Sequence, residues 1–252
     1  MTTVAAPTAA EQMTRDGFVP FDDIAPPHLL KLLSDGVDDL IEQSRALRKS
    51  TYEFQLEAEG PGGGWAARAA DKEGIPGKLR VVGRAHEHAD KIAEAEKLLQ
   101  LQERFVGPTF GRTGYLHDVF LWAKPAELGS QKPWHQDMLF VPPDFNPQTM
   151  QACTIWVALD DADEENGCLN FLPGSHRERK VYQPEGRADE LFDTPMEPSL
   201  NIAKHWPDLT PVVLPRRAGS GVMFTGYTAH MSTRNNSKRD RRAVSFAYRL
   251  PR

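Results

Sequence analysis

The sequence predicts a mainly β protein with flanking helices, arranged as an antiparallel sandwich or a jelly roll. From residue 114 onward the chain is a series of short apolar or alternating runs. Turn residues separate these runs, and the chain contains 20 prolines and 19 glycines in all. The two long segments with helical periodicity both lie before residue 110. A succession of short strands divided by turns is typical of antiparallel sandwiches and jelly rolls.

The chain up to about residue 110 is predicted to be a helical support for the sheets. Residues 15–21 contain a turn followed by a short apolar strand. Pro26 and Pro27 open the first helix, because proline is favoured in the first turn of a helix. Its apolar side chains recur at helical spacing and are Leu29, Leu30, Leu33, Val37, Leu40 and Ile41. A second helix is expected from Ala89 to about Phe105.

The remaining chain, about residues 111–252, is predicted to form the barrel. Its strand candidates are Gly114–Trp122, Trp134–Phe140, Ala152–Leu159, Cys168–Leu172, Val212–Leu214, Gly221–Thr225 and Ala243–Leu250. Residues 177–211 lack a clear period and are expected to form a partly helical excursion. The glycine-rich segment 57–77 is either a plain connection or a lid over the site. Glycine richness predicts mobility, which both alternatives share. The helices have no separate core of sufficient size, so residues 1–252 are expected to form one domain.

The composition is that of an ordinary globular protein. Of the 252 residues, 40% are hydrophobic and 26% are charged, and the net charge of −5 gives no reason to expect a nucleic-acid partner. No apolar run approaches the roughly 20 residues that a membrane span needs. Residues 1–7 lack the basic and apolar regions of a secretory signal. We therefore expect a cytoplasmic protein with no membrane partner, either a monomer or a homodimer.

The two cysteines, Cys153 and Cys168, both lie in apolar runs that are predicted strands. Buried free cysteines behave as small apolar side chains, and disulfides are rare in the cytoplasm. We expect two buried thiols rather than a disulfide.

One pattern of potential metal ligands stands out in the barrel region. His135 and Asp137 lie two residues apart in a predicted strand, so their side chains project from the same face. His230 lies far downstream, at the end of a late strand that can lie beside an early one in a jelly roll. Two histidines and one carboxylate hold Fe(II) by one face and leave the other coordination positions open. A surface strand with one charged face could carry the same pair. However, the neighbours of His135 and Asp137 are apolar and favour a sheltered position: Trp134, Met138, Leu139 and Phe140.

The histidines that compete for this role are His28, His86, His88, His117, His176 and His205. The charged neighbours of His86 and His88 indicate a solvated entry to the second helix. His117 is followed by Asp118 on a predicted strand, where adjacent side chains face opposite ways. His176 follows a Pro-Gly-Ser turn and is expected to brace that turn by a hydrogen bond.

Several segments spread over nearly the whole chain recur together in one known family. They are Arg15–Phe18, Lys124-Pro125, Trp134–Asp137, Asn166–Leu169, Pro173–His176, and His230 followed by Asn235, Ser237, Arg241 and Arg242. In this combination and order the chain resembles the phytanoyl-CoA dioxygenase family of Fe(II)/2-oxoglutarate-dependent oxygenases. The resemblance implies a double-stranded β-helix, which is a jelly roll, with iron at its open end. It also implies 2-oxoglutarate and O₂ as cosubstrates.

The resemblance carries over to single positions. It implies that His135, Asp137 and His230 are the catalytic metal ligands. It implies that Arg241 binds the distal carboxylate of 2-oxoglutarate, since a guanidinium meets a carboxylate with two parallel hydrogen bonds. Arg242 is the rival for this role, because the sequence alone does not tell which face of the last strand points inward.

Two further positions are expected to help to bind 2-oxoglutarate. Ser232 lies two residues from His230 on the same strand face and is expected to donate a hydrogen bond to the distal carboxylate. Trp156 occupies the position of a family tryptophan and is expected to wall the cosubstrate, with ordinary core packing as the alternative.

The expected activity is that of an Fe(II)- and 2-oxoglutarate-dependent dioxygenase that hydroxylates, desaturates or cyclises a small-molecule substrate such as a natural-product intermediate. Asp137 favours hydroxylase-type chemistry, because related halogenases have a small residue there. The alternatives are a non-catalytic jelly-roll binding protein with a vestigial metal pocket, and a cupin-type dioxygenase that does not use 2-oxoglutarate. Candidate pocket residues are Trp122, Trp134, Met138, Phe140, Phe224 and Tyr227, with barrel core as their alternative role.

Overall fold

The computed structural model describes residues 6–57, 73–141, 145–185 and 199–251. Most of the glycine-rich segment and the middle of the 177–211 excursion lie outside the described residues, and with them the question of a lid. Within the described part, α6 (Ile202–His205) is the one helix of the excursion.

Eleven strands of the described residues form two antiparallel sheets. They are β1 (Phe18–Phe21), β2 (Phe54–Leu56), β3 (Leu79–Val82), β4 (Tyr115–Lys124), β5 (Lys132–His135), β6 (Met150–Ala158), β7 (Leu169–Phe171), β8 (Val212–Leu214), β9 (Gly221–Thr225), β10 (His230–Ser232) and β11 (Arg241–Pro251). The seven-stranded sheet has the order β1-β9-β6-β11-β4-β3-β2, and the four-stranded sheet has the order β5-β10-β7-β8. The predicted jelly roll is confirmed.

The helices lie mainly in the N-terminal part of the chain. They are α1 (Ala9–Asp16), α2 (Pro27–Ser44), α3 (Ala85–His88), α4 (Asp90–Leu99) and α5 (Gly107–Phe110), in addition to α6. A capping box between Thr8 and Glu11 begins α1. Gly17 ends it with a φ of 84°, a left-handed conformation that glycine adopts without steric cost. None of the helices in the described ranges has the length and apolar character needed to cross a membrane.

The predicted second helix is shorter than expected. It ends at Leu99, because Gln100 adopts a left-handed conformation with a φ of 50°, and a π-helix follows over Gln102–Val106. The apolar pattern continues through both segments, so periodicity alone did not reveal the break. The predicted strand 134–140 also ends early, at His135, and gives way to a 3₁₀ helix over Asp137–Leu139. The sequence reading missed β2 and β3, which are too short to show a clear alternation.

The N-terminal helices pack on the outer face of the larger sheet and share one core with it. Leu33 and Val37 of α2 belong to the same buried cluster as Val244 and Phe246 of β11. A second cluster lies inside the barrel and contains Phe18, Trp156, Ala158, Ala162, Cys168, Leu169, Phe171, Val222, Phe224 and Ala243. β11 therefore separates the two cores, with alternate side chains facing the helices and the barrel interior.

Candidate metal centre

The barrel brings His135, Asp137 and His230 together. Strands β5 and β10 are antiparallel neighbours, and His230 lies directly opposite His135 in their register. Gln136 keeps an extended backbone with φ −118° and ψ 134°, so Asp137 returns to the side of His135 although the strand has ended. Asp137 Oδ1 lies 3.7 Å from His135 Nε2 and 3.5 Å from His230 Nε2. One donor atom from each of the three residues lies within 4.8 Å of the other two.

Hydrogen bonds orient these donor atoms toward one point. The Nδ1–H of His135 donates to the carbonyl of Pro133 at 2.7 Å, and that of His230 donates to the carbonyl of Thr228 at 3.0 Å. Because a carbonyl can only accept, each ring keeps its proton on Nδ1 and presents the Nε2 lone pair to the cluster. Thr154 Oγ1 donates to Asp137 Oδ2 at 3.0 Å and leaves Oδ1 for the cluster.

The surroundings favour the neutral form of His135 and leave one side of the cluster open. His135 and His230 are both buried, whereas the side chain of Asp137 is 30% exposed. Burial, and next the charge of His230, lower the pKa of His135 well below its ordinary value. The rings of Phe171 and Phe224 flank His230, with centroids at 5.7 and 4.6 Å. Access to the cluster is therefore from the Asp137 side.

Arg241 points into the barrel and has an incomplete set of partners. It precedes the inward-facing Ala243 by two residues on β11, and it is buried. Its Nη2 donates to the carbonyl of Gly167 at 3.3 Å, and its guanidinium carbon lies 5.6 Å from the ring centroid of Trp156. Nε and Nη1 are buried and have no hydrogen-bond partner among the described residues. Burial lowers the pKa of Arg241 to about 10, so the group stays charged near neutral pH.

Arg242 faces the opposite way. Its Nε and Nη2 donate to the two carboxylate oxygens of Asp160 at 3.0 and 2.9 Å, and its Nη1 donates to Asp38 of α2 at 2.8 Å. These bonds commit the guanidinium to the outer face of the larger sheet. Of the two arginines, Arg241 is the one inside the barrel.

The other two residues expected near 2-oxoglutarate also lie inside the barrel. Trp156 is buried in the inner core, and its ring lies under the guanidinium of Arg241. Ser232 is buried and lies two residues from His230 on β10, opposite Leu169 of β7. These positions fit the expected contacts, which stay predictions.

The competing histidines lie apart from the cluster. His88 Nε2 contacts Glu53 at 2.6 Å, and His117 Nε2 accepts a hydrogen bond from Arg249. His176 braces its turn as expected, since its Nε2–H donates to the carbonyl of Thr14 at 3.2 Å.

The expected pocket residues separate into different environments. Met138 and Tyr227 share a small apolar cluster next to Asp137, and the ring of Phe140 lies 5.8 Å from that of His135. Trp122 packs against the inner core. The expectation for Trp134 is wrong, because it alternates with His135 on β5 and packs outside the smaller sheet with Leu172, Tyr182, Leu200, Trp206 and Ala229.

Sequence reasoning missed Gln136, which is completely buried between the two ligands. Its Nε2 donates to the carbonyls of Lys180 at 3.0 Å and Tyr227 at 2.8 Å. Its Oε1 accepts from the backbone N–H of Tyr182 at 2.9 Å. The side chain thus ties the ligand segment to two distant loops. Its partners are remote in sequence, so no local pattern indicated this role.

The fold and the donor set define a jelly roll with a two-histidine, one-carboxylate cluster inside the barrel. The family model for phytanoyl-CoA dioxygenase (PhyH) matches residues 13–243, and the chain belongs to this family. Phytanoyl-CoA dioxygenase domain-containing protein 1 of Danio rerio is 29% identical over 163 residues, which are 63% of this chain and 50% of that protein. The peroxisomal phytanoyl-CoA dioxygenase of Rattus norvegicus is 28% identical over 192 residues, 71% of this chain and 53% of that protein. The chain spans about half the length of these relatives.

Solved structures share the fold. The crystal structure of EctD from S. alaskensis with 2-oxoglutarate and 5-hydroxyectoine is similar with a TM-score of 0.70 and 20% identity, covering 98% of this chain and 78% of that chain. SnoK, a non-heme alpha ketoglutarate dependent carbocyclase from nogalamycin biosynthesis, is similar with a TM-score of 0.68 and 18% identity, covering 96% of this chain and 82% of that chain. At these identities the likeness concerns the fold.

Proposed function

We propose that the protein is an Fe(II)- and 2-oxoglutarate-dependent dioxygenase of a small molecule. One observation carries the proposal: the Nε2 atoms of His135 and His230 and Oδ1 of Asp137 converge with their lone pairs free. Two imidazoles and one carboxylate suit non-haem Fe(II) and leave positions for cosubstrates. When bound, the iron supplies the activation of O₂ that couples oxidative decarboxylation of 2-oxoglutarate to oxidation of the substrate.

The inward arginine supports 2-oxoglutarate as the cosubstrate. A buried guanidinium with two unpaired nitrogens is costly, because its desolvation is not repaid by hydrogen bonds or by an opposite charge. Arg241 has these two nitrogens, Nε and Nη1, among the described residues. A carboxylate beside it would accept from both and neutralise the charge. This favours a 2-oxoglutarate enzyme over a cupin-type dioxygenase without the cosubstrate and over a scaffold with a vestigial pocket.

The protein's own residues position the reactants and limit water. Pro133 and Thr228 fix the histidine tautomers, and Thr154 holds the second oxygen of Asp137. We expect Trp156, which packs against Arg241, to wall the 2-oxoglutarate side and the buried hydroxyl of Ser232 to donate to the distal carboxylate. The carboxylate of Asp137 favours hydroxylation, desaturation or cyclisation over halogenation. The likeness to relatives such as the peroxisomal phytanoyl-CoA dioxygenase supports dioxygenase chemistry.

The test measures binding before turnover. Purified wild-type protein and the variants His135→Ala and Asp137→Ala receive Fe(II) and 2-oxoglutarate without oxygen. The wild type is expected to develop the visible metal-to-ligand charge-transfer band and to bind one Fe(II) by equilibrium dialysis. Each variant is expected to lose the band and to bind Fe(II) at least tenfold more weakly, because one of three protein ligands is gone.

His28→Ala is the matched control, since His28 is exposed and lies outside the cluster. It should keep the band, and circular dichroism should show that all variants remain folded. Undiminished Fe(II) binding by either ligand variant, or absence of the band in the wild type, would refute the proposal.

A further inference from the structure

We propose that Arg249 binds an anionic group of the substrate, a carboxylate or a phosphate. The proposal rests on the proposed function and specifies the substrate class: a small acid with an apolar body.

The register places Arg249 inside the barrel, beyond the metal cluster. Ala247 lies opposite Thr154 in the pairing of β11 with β6, and Thr154 contacts Asp137. Arg249 follows two residues later, opposite Ala152, and this pairing has no bulge. Arg249 therefore shares the inward face with Arg241. It lies two residues, about 7 Å, beyond Ala247, which is the position on β11 beside the metal cluster. The two arginines lie at opposite ends of the strand.

Among the described residues, no carboxylate compensates the charge of Arg249. Its Nη2 donates to His117 Nε2 at 2.7 Å, so that nitrogen is the unprotonated acceptor. Its guanidinium carbon lies 5.6 Å from the ring centroid of Phe145. The side chain is about nine-tenths buried, and it forms no ion pair with a carboxylate of the described residues. In contrast, Arg239 and Arg242 both pair with aspartates.

The neighbours of Arg249 indicate what lies beside the anion. Phe145 shares an apolar cluster with Met138 and Tyr227, and Ala152 packs against the same cluster. Met138 directly follows the ligand Asp137. A substrate held by its anionic group at Arg249 would therefore place an apolar body along this cluster and next to the open side of the metal centre. Apolar walls with a single charged group are typical of sites that fix the orientation of a small ligand.

The experiment compares matched acids and neutral isosteres. The probes are hexanoate, octanoate, decanoate and 3-phenylpropanoate, their primary amides, and octyl phosphate with octanol. Isothermal titration calorimetry measures their binding to the protein with Fe(II) and saturating 2-oxoglutarate under anaerobic conditions. The tightest acid is expected to bind wild type at least tenfold more tightly than its amide. Arg249→Met and Arg249→Gln should lose this preference, while Arg249→Lys should keep part of it.

Arg112→Met is the matched control, because Arg112 lies at the same end of the sheet but donates to Gln151 on the outer face of β6. It should keep the preference for acids. If Arg249 only supports the fold, its variants will melt at lower temperature but retain the preference, and that result overturns the inference. Equal binding of acids and amides, or no binding by any acid, overturns it as well. The charge-transfer band recorded before the probes are added tests the proposed function separately, and octyl phosphate against octanoate distinguishes the two kinds of anion.

Discussion

At the scale of single residues, the opposite faces of one strand decide the roles of Arg241 and Arg242. On the helix side, Arg242 donates hydrogen bonds to the carboxylates of Asp160 and Asp38. On the barrel side, two buried nitrogens of Arg241 have no hydrogen-bond partner in the described part of the chain. This contrast favours a stabilising role for Arg242 and the proposed contact with 2-oxoglutarate for Arg241.

We expect Arg241→Met to weaken 2-oxoglutarate binding roughly 100-fold. Charge-assisted hydrogen bonds to one carboxylate contribute about 3 kcal/mol, and tenfold in affinity corresponds to about 1.4 kcal/mol. Arg242→Met should leave the affinity within twofold of wild type but lower the free energy of unfolding by about 1 kcal/mol, because the partly exposed Asp160 and the exposed Asp38 lose their ion pairs. Titration of the charge-transfer band measures the affinity, and urea unfolding measures the stability. An equal loss of affinity in both variants would contradict the assignment.

At the scale of elements, hydrogen bonds of the Gln136 side chain stabilise the short β5–β10 pair. Both strands have only three or four residues, so their own ladder contributes few hydrogen bonds. The amide of Gln136 adds three bonds to the backbones of Lys180, Tyr182 and Tyr227. The ligand geometry therefore depends on this buried amide as well as on strand pairing.

Gln136→Leu should destabilise the protein by about 2 to 4 kcal/mol, because two buried backbone groups and one partly buried carbonyl lose their partner and Leu offers no replacement. Fe(II) affinity should fall as well, since the segment between the ligands loosens. Gln43→Leu is the control: Gln43 is exposed, and its side chain donates one hydrogen bond to the carbonyl of His88. Urea unfolding and equilibrium dialysis are the measurements. Wild-type stability of the Gln136 variant would show that the amide is dispensable.

At the scale of the whole molecule, the alternation of apolar residues and the sequence motifs predict the jelly roll and the residues of the cluster. The inward face of β11 and the position of Arg249 depend on contacts between residues that are distant in sequence. The spacing of His135 and Asp137 indicated a shared side even though the strand ends between them. The inward face of β11 was not readable, because it depends on its pairing with β6 and on the helices behind it. The inward position of Arg249 was not predictable for the same reason, since its partner His117 lies on a different strand. That residues 1–252 form one domain stays a prediction, favoured by the core that helices and sheet share.

One cysteine lies in each of the two cores, so the reactivity of its thiol reports whether that core stays closed. Cys153 belongs to the outer cluster and Cys168 to the inner one, and both are free and buried. Burial raises the pKa of Cys168 to about 11 and raises that of Cys153 further, so the reactive thiolate is scarce at pH 8. We expect a chromogenic disulfide reagent to find no fast-reacting thiol in the native protein and two after denaturation. A native thiol that reacts at the rate of a free peptide would mean that its core opens locally, and no thiol after denaturation would mean a disulfide.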